Sequence, residues 1–364
     1  MTTATRRIFN FSAGPAVLPL PVLEEAQRDL IALPGVGMSV TEISHRSKTF
    51  ENLLSGAIED IRTLAGVPRN YRIMMLQGGA SLQFSMVPMN LLVPGATADY
   101  VDTGSWADKA VSEAKKVGSV TVAGSTRADR YSRIPAASEL SLTKDAAYVH
   151  ITTNNTIEGT QWKSLPDVGG VPLVADASSD IFSGPIDVSR FGLIYAGAQK
   201  NLGPSGVTLV LVREDLLARS HDALPTMLSY KVMAENNSLY NTPNTFGIYI
   251  LGLTMKWLET MGGLQGIAAR NARKAAKLYA EIDRTDFYRG TAQRESRSLM
   301  NVTFRLPNED LEKQFDKEAT AAGLDGLKGH RSVGGMRASI YNAFPEEGVD
   351  ALVEFMREFA RTRG

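Results

Sequence analysis

An acid and an amine at the ends of two apolar runs are the residues through which this chain could do chemistry. VPLVADASSD places Asp176 directly after one run, and FGLIYAGAQKNLGPSG places Lys200 shortly after the next, ahead of a Gly/Pro-rich loop. Neighbouring strands lie about 4.8 Å apart, so side chains on adjacent strand ends can address opposite sides of one aromatic ring. Pyridoxal phosphate requires that pair. An amine condenses with its aldehyde, and a carboxylate keeps the pyridine nitrogen protonated so that the ring accepts the electrons of a developing carbanion. The two residues alone are weak evidence, because an acid after a strand is often a cap or turn residue and a loop lysine is usually solvated.

Two further segments bear on the same chemistry. LQGGASLQF sets Gly78, Gly79, Ala80 and Ser81 between an apolar run and a helical one. Backbone N–H groups at such a helix start can cradle a phosphate, although an isolated GGAS is most simply a glycine turn. Trp106 follows the VDTGSW run end, where it can stack on a flat ring or serve as a core aromatic.

These residues need a scaffold. Short β-rich runs appear at Arg72–Leu76, Ala98–Asp102, Val120–Ala123, Ala147–Thr152, Val171–Ala175, Phe191–Ala196 and Val207–Val212, and several are apolar on consecutive positions, as in strands covered on both faces. Intervening segments such as Ser105–Lys116 suit helices, so the pattern predicts an α/β layer on a mostly parallel sheet. In such sheets ligands collect beyond the carboxyl ends of the strands, which is where Asp176 and Lys200 fall. Leu23, Leu30 and Ile31 recur at helical spacing, and so do Phe50, Leu53, Leu54, Ile58, Ile61 and Leu64; both predict amphipathic helices. After about residue 260 a long helix ending near Ile282 precedes strands around Leu299–Leu306 and Met336–Tyr341, a helix over Glu309–Ala322 and a closing helix from Val349 to Ala360. The division expected is a segment 1–16 joining the small domain and the active site, a large domain 17–260 and a small α+β domain 261–364.

Composition narrows the classes. Of 364 residues, 39 are Lys or Arg and 39 Asp or Glu, so a formal charge of zero gives no general grip on nucleic acid or anionic membrane. Zero cysteines exclude disulfides, thiolate metal sites and cysteine nucleophiles, and 4 histidines make a histidine metal cage an unexpected feature. The start, MTTATRRIFNFSAGPAVLP, has no apolar run of the secretory kind, and no stretch reaches the ~20 apolar residues of a membrane span. A cytoplasmic protein without bound metal is expected.

The order of the motifs adds a family resemblance. FNFSAGPAVLP, EISHRSK, QGGASLQF, VDTGSWADKA, NNTIEGTQW, VADASSDIFSGP, AGAQKNLGPSG, NTPNTFGIY and KGHRSVGGMRASIYNA run almost end to end. In that order they resemble the phosphoserine-using family within class V of the fold-type I pyridoxal-phosphate aminotransferases. The resemblance implies a large domain on a mostly parallel seven-stranded sheet with a smaller C-terminal domain. It also implies that Lys200 bonds the cofactor, Asp176 partners the ring nitrogen and Trp106 stacks on the ring. Thr156 matches a hydroxyl residue near the ring's polar edge, Ala80 and Ser81 the backbone of a phosphate cup, and Gln199 a side chain closing that cup. Asn241 and Thr242 resemble residues that reach the phosphate from the neighbouring subunit of a homodimer, so the active sites would be shared.

The substrates implied are L-phosphoserine and 2-oxoglutarate, interconverting with 3-phosphohydroxypyruvate and L-glutamate on the route to serine. Some relatives also act on a phosphohydroxythreonine in pyridoxine synthesis. GHRSVGGMR and EISHRSK supply His330, Arg331, Arg337, His45 and Arg46. Guanidinium forks fit carboxylate and phosphate oxygens, although a His-Arg pair taken alone is ordinarily a solvated charge. By resemblance Arg337 takes the α-carboxylate and the other four surround the phosphate. Two departures stand out: Ala13 and Ser81 occupy positions where some relatives carry a serine and an arginine, leaving the phosphate pocket one cation short. The nearest rival is another class V activity, alanine–glyoxylate or serine–pyruvate transamination. A desulfurase lacks its cysteine here, a nicotinamide dehydrogenase lacks the G-x-G-x-x-G spacing, and a non-catalytic binding protein of the same fold is the remaining alternative.

Overall fold

The computed structural model describes residues 7–220 and 222–364; residues 1–6 of the expected N-terminal segment lie outside that description. All seven anticipated runs form strands of one sheet: β1 Tyr71–Leu76, β2 Thr97–Asp102, β3 Ser119–Ser125, β4 Val149–Thr152, β5 Leu173–Asp176, β6 Leu193–Gly197 and β7 Thr208–Arg213. Their spatial order is β1-β7-β6-β5-β4-β2-β3. β7 is antiparallel to both of its neighbours, while the remaining pairs are parallel. Six strands therefore share one direction, and their carboxyl ends open on one edge.

Side chains alternate between the two faces of the sheet, as the twofold period of a strand requires. Ile73, Met75, Val149, Ile151, Ile194 and Ala196 face one layer, built with helices Lys48–Ala65 and Thr245–Thr260. Met74, Leu76, Leu193, Tyr195, Val210 and Val212 face the other, built with helices Gly79–Leu91 and Ser105–Val117. Burial on both faces explains why these strands read as continuous apolar runs.

A second core gathers around an antiparallel sheet of Arg289–Gly290, Asn301–Arg305 and Met336–Ser339. Phe304, Phe315, Phe344 and Phe359 fill it beneath helices Glu309–Ala321 and Glu346–Arg363. The N-terminal strand Phe9–Asn10 pairs in parallel with Leu324–Asp325, and Phe11 packs against Phe344, the rings tilted with 4.4 Å between centroids. Helix Gly263–Ile282 touches both cores: Leu264 and Ile267 lie in the first, Ala275, Leu278 and Ile282 in the second.

One expected helix face is corrected. Helix Leu20–Asp29 buries Val22, Ala26 and Asp29, whereas Leu30 and Ile31 follow its end and are exposed. The 3.6-residue period runs from Val22 through Ala26 to Asp29, whose carboxylate takes the Tyr249 hydroxyl, so the buried stripe includes an acid that apolar counting skips. Among the described residues no helix is long and apolar enough to cross a membrane, and no cluster of three or more metal-ligating side chains occurs.

Candidate active site

Asp176 is the last residue of β5, and Lys200 lies three residues past the end of β6. The two strands pair directly, with Asp176 opposite Tyr195. Ser178 joins their ends: its N–H donates to Asp176 Oδ1 at 2.9 Å, and its Oγ accepts the Gly197 N–H at 3.1 Å. Asp176 is buried, and this burial raises its carboxyl pKa against the Ser178 hydrogen bond and the Lys200 charge. A buried carboxylate in this state calls for a cation, which a protonated pyridine nitrogen would supply.

Lys200 Nζ donates to Thr156 Oγ1 at 2.7 Å. Burial pushes the amine down to about 8; the Asp176 carboxylate opposes this shift and the Arg337 charge adds to it. A lysine tuned near neutrality can act as a nucleophile and base. A second carboxylate, Asp180, accepts from Thr153 Oγ1 and, at 3.1 Å, from Gln161 Nε2. Burial raises it to about 6, and the Asp176 charge pushes the same way.

The other strand ends contribute a platform. Helix Gly79–Leu91 starts after Gly78, which holds φ +91° and on which a Cβ would meet Leu82 Cδ2 at 2.5 Å. The first-turn amides, Ala80 and Ser81 among them, have no intrahelical acceptor at such an end and suit a phosphate. Trp106 opens helix Ser105–Val117; its Nε1 is sealed from solvent without a protein partner, and Lys109 Nζ sits 4.0 Å from its ring centroid. The Gln199 side chain folds back over Gly197, and the Gln199 backbone carbonyl accepts the Ala16 N–H at 2.8 Å. An orphaned indole N–H, a cradle of helix-start amides and an acid–amine pair together fit pyridoxal phosphate.

Cations converge from the smaller sheet. Arg337 is half-buried on strand Met336–Ser339, with an Nε that has no partner, and burial lowers its pKa. His330 bonds Ser332 Oγ at 2.7 Å; burial and then the charges of Arg337, Arg331 and Lys109 hold its proton affinity down. Such a gathering of positive charge suits an anion. Thr242 and Asn241 lie beside the strand end that leads into Gly78: the Thr242 carbonyl accepts from Gln77 Nε2 at 3.2 Å, and Asn241 lines a cleft with Gln77, Leu82 and Met227. His45 and Arg46 precede helix Lys48–Ala65, and among the described residues no hydrogen bond or ion pair ties them to the Lys200 cluster.

Sequence reading missed Asp180, Lys109 and Glu158. Asp180 was visible four residues after Asp176, and Lys109 one helical turn after Trp106. Glu158 had no such marker, because its partner Ser105 is 53 residues away.

A fold with this strand-end pair defines a class, and comparison with known proteins agrees: the family described as Aminotransferase class-V matches residues 8–352, and the chain belongs to it. Within that class it falls among the phosphoserine aminotransferases. It is 57% identical over 362 residues to the one from Desulfosudis oleivorans, covering 99% of this chain and 100% of that protein. The solved phosphoserine aminotransferase of Bacillus circulans subsp. alkalophilus superposes with a TM-score of 0.97 at 54% identity, covering 98% of this chain and 99% of the other. The Trichomonas vaginalis enzyme, solved with pyridoxal phosphate bound, gives a TM-score of 0.92 at 41% identity, covering 96% and 100%.

Proposed function

We propose that this chain uses pyridoxal 5'-phosphate to transfer the amino group reversibly between L-phosphoserine and 2-oxoglutarate, giving 3-phosphohydroxypyruvate and L-glutamate in serine biosynthesis. The cofactor, when bound, supplies an electron sink for the carbanion left at the substrate Cα. Lys200 Nζ takes the α-proton and carries it across the face of the site, and Thr156 Oγ1 accepts from that amine whenever it is free. Asp176 keeps a proton on the ring nitrogen, Trp106 covers the ring, and Gln199 with the amides of Ala80 and Ser81 holds the phosphate. Arg337 orients the α-carboxylate. His330 and Arg331 receive the substrate phosphate or the distal carboxylate of glutamate, which lets one pocket serve both amino acids. The observation that supports this most is geometric: Asp176 ends one and Lys200 follows the other of two directly paired strands that Ser178 bridges, with Lys200 Nζ 2.7 Å from Thr156 Oγ1.

Further parts of the proposal rest on the family resemblance. The chain works as a homodimer in which His45, Arg46, Asn241 and Thr242 serve the partner's site. Residues 17–260 form the cofactor domain and 261–364 the small domain, with 1–16 spanning between them, and the compartment is the cytoplasm. A phosphohydroxythreonine of pyridoxine synthesis suits the same charges.

The test is a half-reaction followed by the visible spectrum of the holoenzyme. Phosphoserine bleaches the bound chromophore promptly, serine does so far more slowly, and Lys200→Ala shows neither the chromophore nor turnover. Equal bleaching by serine and phosphoserine would favour alanine–glyoxylate or serine–pyruvate chemistry instead.

A further inference from the structure

Glu158 is a buried acid that the transamination mechanism does not use. It sits in the turn between Asn154–Asn155 and Thr160–Gln161, two residues after Thr156. Its Oε1 accepts from the Ser105 N–H at 2.8 Å and from Ser105 Oγ at 2.6 Å, capping the helix whose second residue is Trp106. Its Oε2 is sealed from solvent with no partner. The carboxylate also lies against Gly104, where a Cβ would stand 2.7 Å from Oε2, so the chain thins to let the acid in. On the other side, the Glu158 carbonyl accepts from Thr303 Oγ1 at 3.1 Å, and Thr303 is the cross-strand neighbour of Arg337.

We propose that Glu158 is a positioning residue that holds the Trp106 helix and the Arg337 strand in one register, with Thr156 carried in the same turn. Its side chain fixes the plate over the cofactor ring and its peptide group fixes the strand that orients the substrate carboxylate. A single short turn thus sets the height of the substrate above the ring. Carboxylate acceptance at a helix start is favoured twice, by the free first-turn N–H groups and by the helix dipole. Misplacement by an ångström at such a point costs on the order of a hundredfold in rate. The inference rests on the roles proposed above for Trp106 and Arg337.

The test compares wild type, Glu158→Ala, Glu158→Gln and Ser105→Ala by visible circular dichroism of the bound cofactor and by steady-state kinetics with phosphoserine and glutamate. Glu158→Ala weakens the dichroic band and lowers kcat/KM for both amino acids about tenfold or more. Glu158→Gln, which keeps an acceptor oxygen for Ser105, recovers most of both signals, and Ser105→Ala shifts the band in the direction of Glu158→Ala. Wild-type dichroism and kcat/KM in Glu158→Ala overturn the proposal. Should thermal melting show that Glu158→Ala does not fold, Glu158→Asp, whose shorter side chain withdraws the carboxylate from both Ser105 donors, takes its place, and wild-type dichroism and kcat/KM in that variant overturn the proposal. Failure of the wild type itself to turn over phosphoserine would sink the functional reading instead, a result the variants cannot mimic.

Discussion

Lys200 is the residue on which pH acts most legibly. In an unfolded chain its amine holds a proton up to its ordinary value of 10.5, whereas in the folded protein burial brings release to about 8. Between those values the unfolded state binds more protons, so unfolding free energy rises with pH. The cofactor-free protein should therefore gain stability relative to Lys200→Met as pH climbs from about 8 towards 10.5. Thermal melts of both proteins across that range check this, and parallel curves would contradict it. Arg337 offers the second prediction at this scale. Arg337→Ala raises KM about ten- to a hundredfold for phosphoserine and glutamate alike, since a charge-assisted hydrogen bond to a carboxylate is worth about 1.5–3 kcal/mol. An effect on phosphoserine alone would move Arg337 to the phosphate. Both residues could be picked out before any coordinates were known: Lys200 from its place after an apolar run, Arg337 from its motif. Their electrostatic ties to each other could not, because they come from different sheets.

At the scale of elements, the strand–turn–helix at Leu76–Leu91 is the most exposed to a single substitution. Gly78 has φ +91°, and a Cβ there meets the helix it precedes at 2.5 Å. Gly78→Ala must open that turn, tilting the first-turn amides away from an anion. The affinity of the cofactor-free protein for pyridoxal phosphate should fall about tenfold or more, read by fluorescence titration, with wild-type affinity excluding these amides as the phosphate cradle. The element pattern itself was largely readable. Strand Ser119–Ser125 was anticipated from Val120–Ala123, and its partly exposed face reflects its place at the edge of the sheet. The misread helix at Leu20–Asp29 shows the limit of the method: an apolar count passes over Asp29, which is buried only because Tyr249 comes from a helix 220 residues away.

For the whole molecule, the proposed dimer makes a prediction that no single chain can satisfy. If Asn241 serves the partner's site, Lys200→Ala and Asn241→Ala are each impaired as pure dimers. Mixed after partial unfolding, they form heterodimers that contain one intact site. Recovery of activity on mixing, with sedimentation confirming dimers, supports the shared site; additive, unrecovered activity would return Asn241 to its own chain. Helix Gly263–Ile282 shows how the two cores are tied within one chain. Its Lys274 is fully buried, with Nζ donating to the carbonyls of Ile340, Tyr341 and Phe344 at 2.9, 2.6 and 3.2 Å. Next to them the Asn342 N–H donates to Asn201 Oδ1 at 3.0 Å, directly beside Lys200. The segment after the smaller sheet is thereby anchored beside Lys200.

The sequence by itself determined the seven strands and the acid and amine at two strand ends, because strand burial is written in consecutive residues, and the ordered motifs, through their family resemblance, gave the class of cofactor. Only the tertiary structure decided which cations gather around Arg337, that Asp180 stands as a second carboxylate behind Asp176, and that Glu158 links the two sheets. Those facts depend on distances between segments far apart in the chain. Burial, the cause of the shifts at Lys200, Asp176 and Asp180, is a property of the packed whole that no local pattern carries.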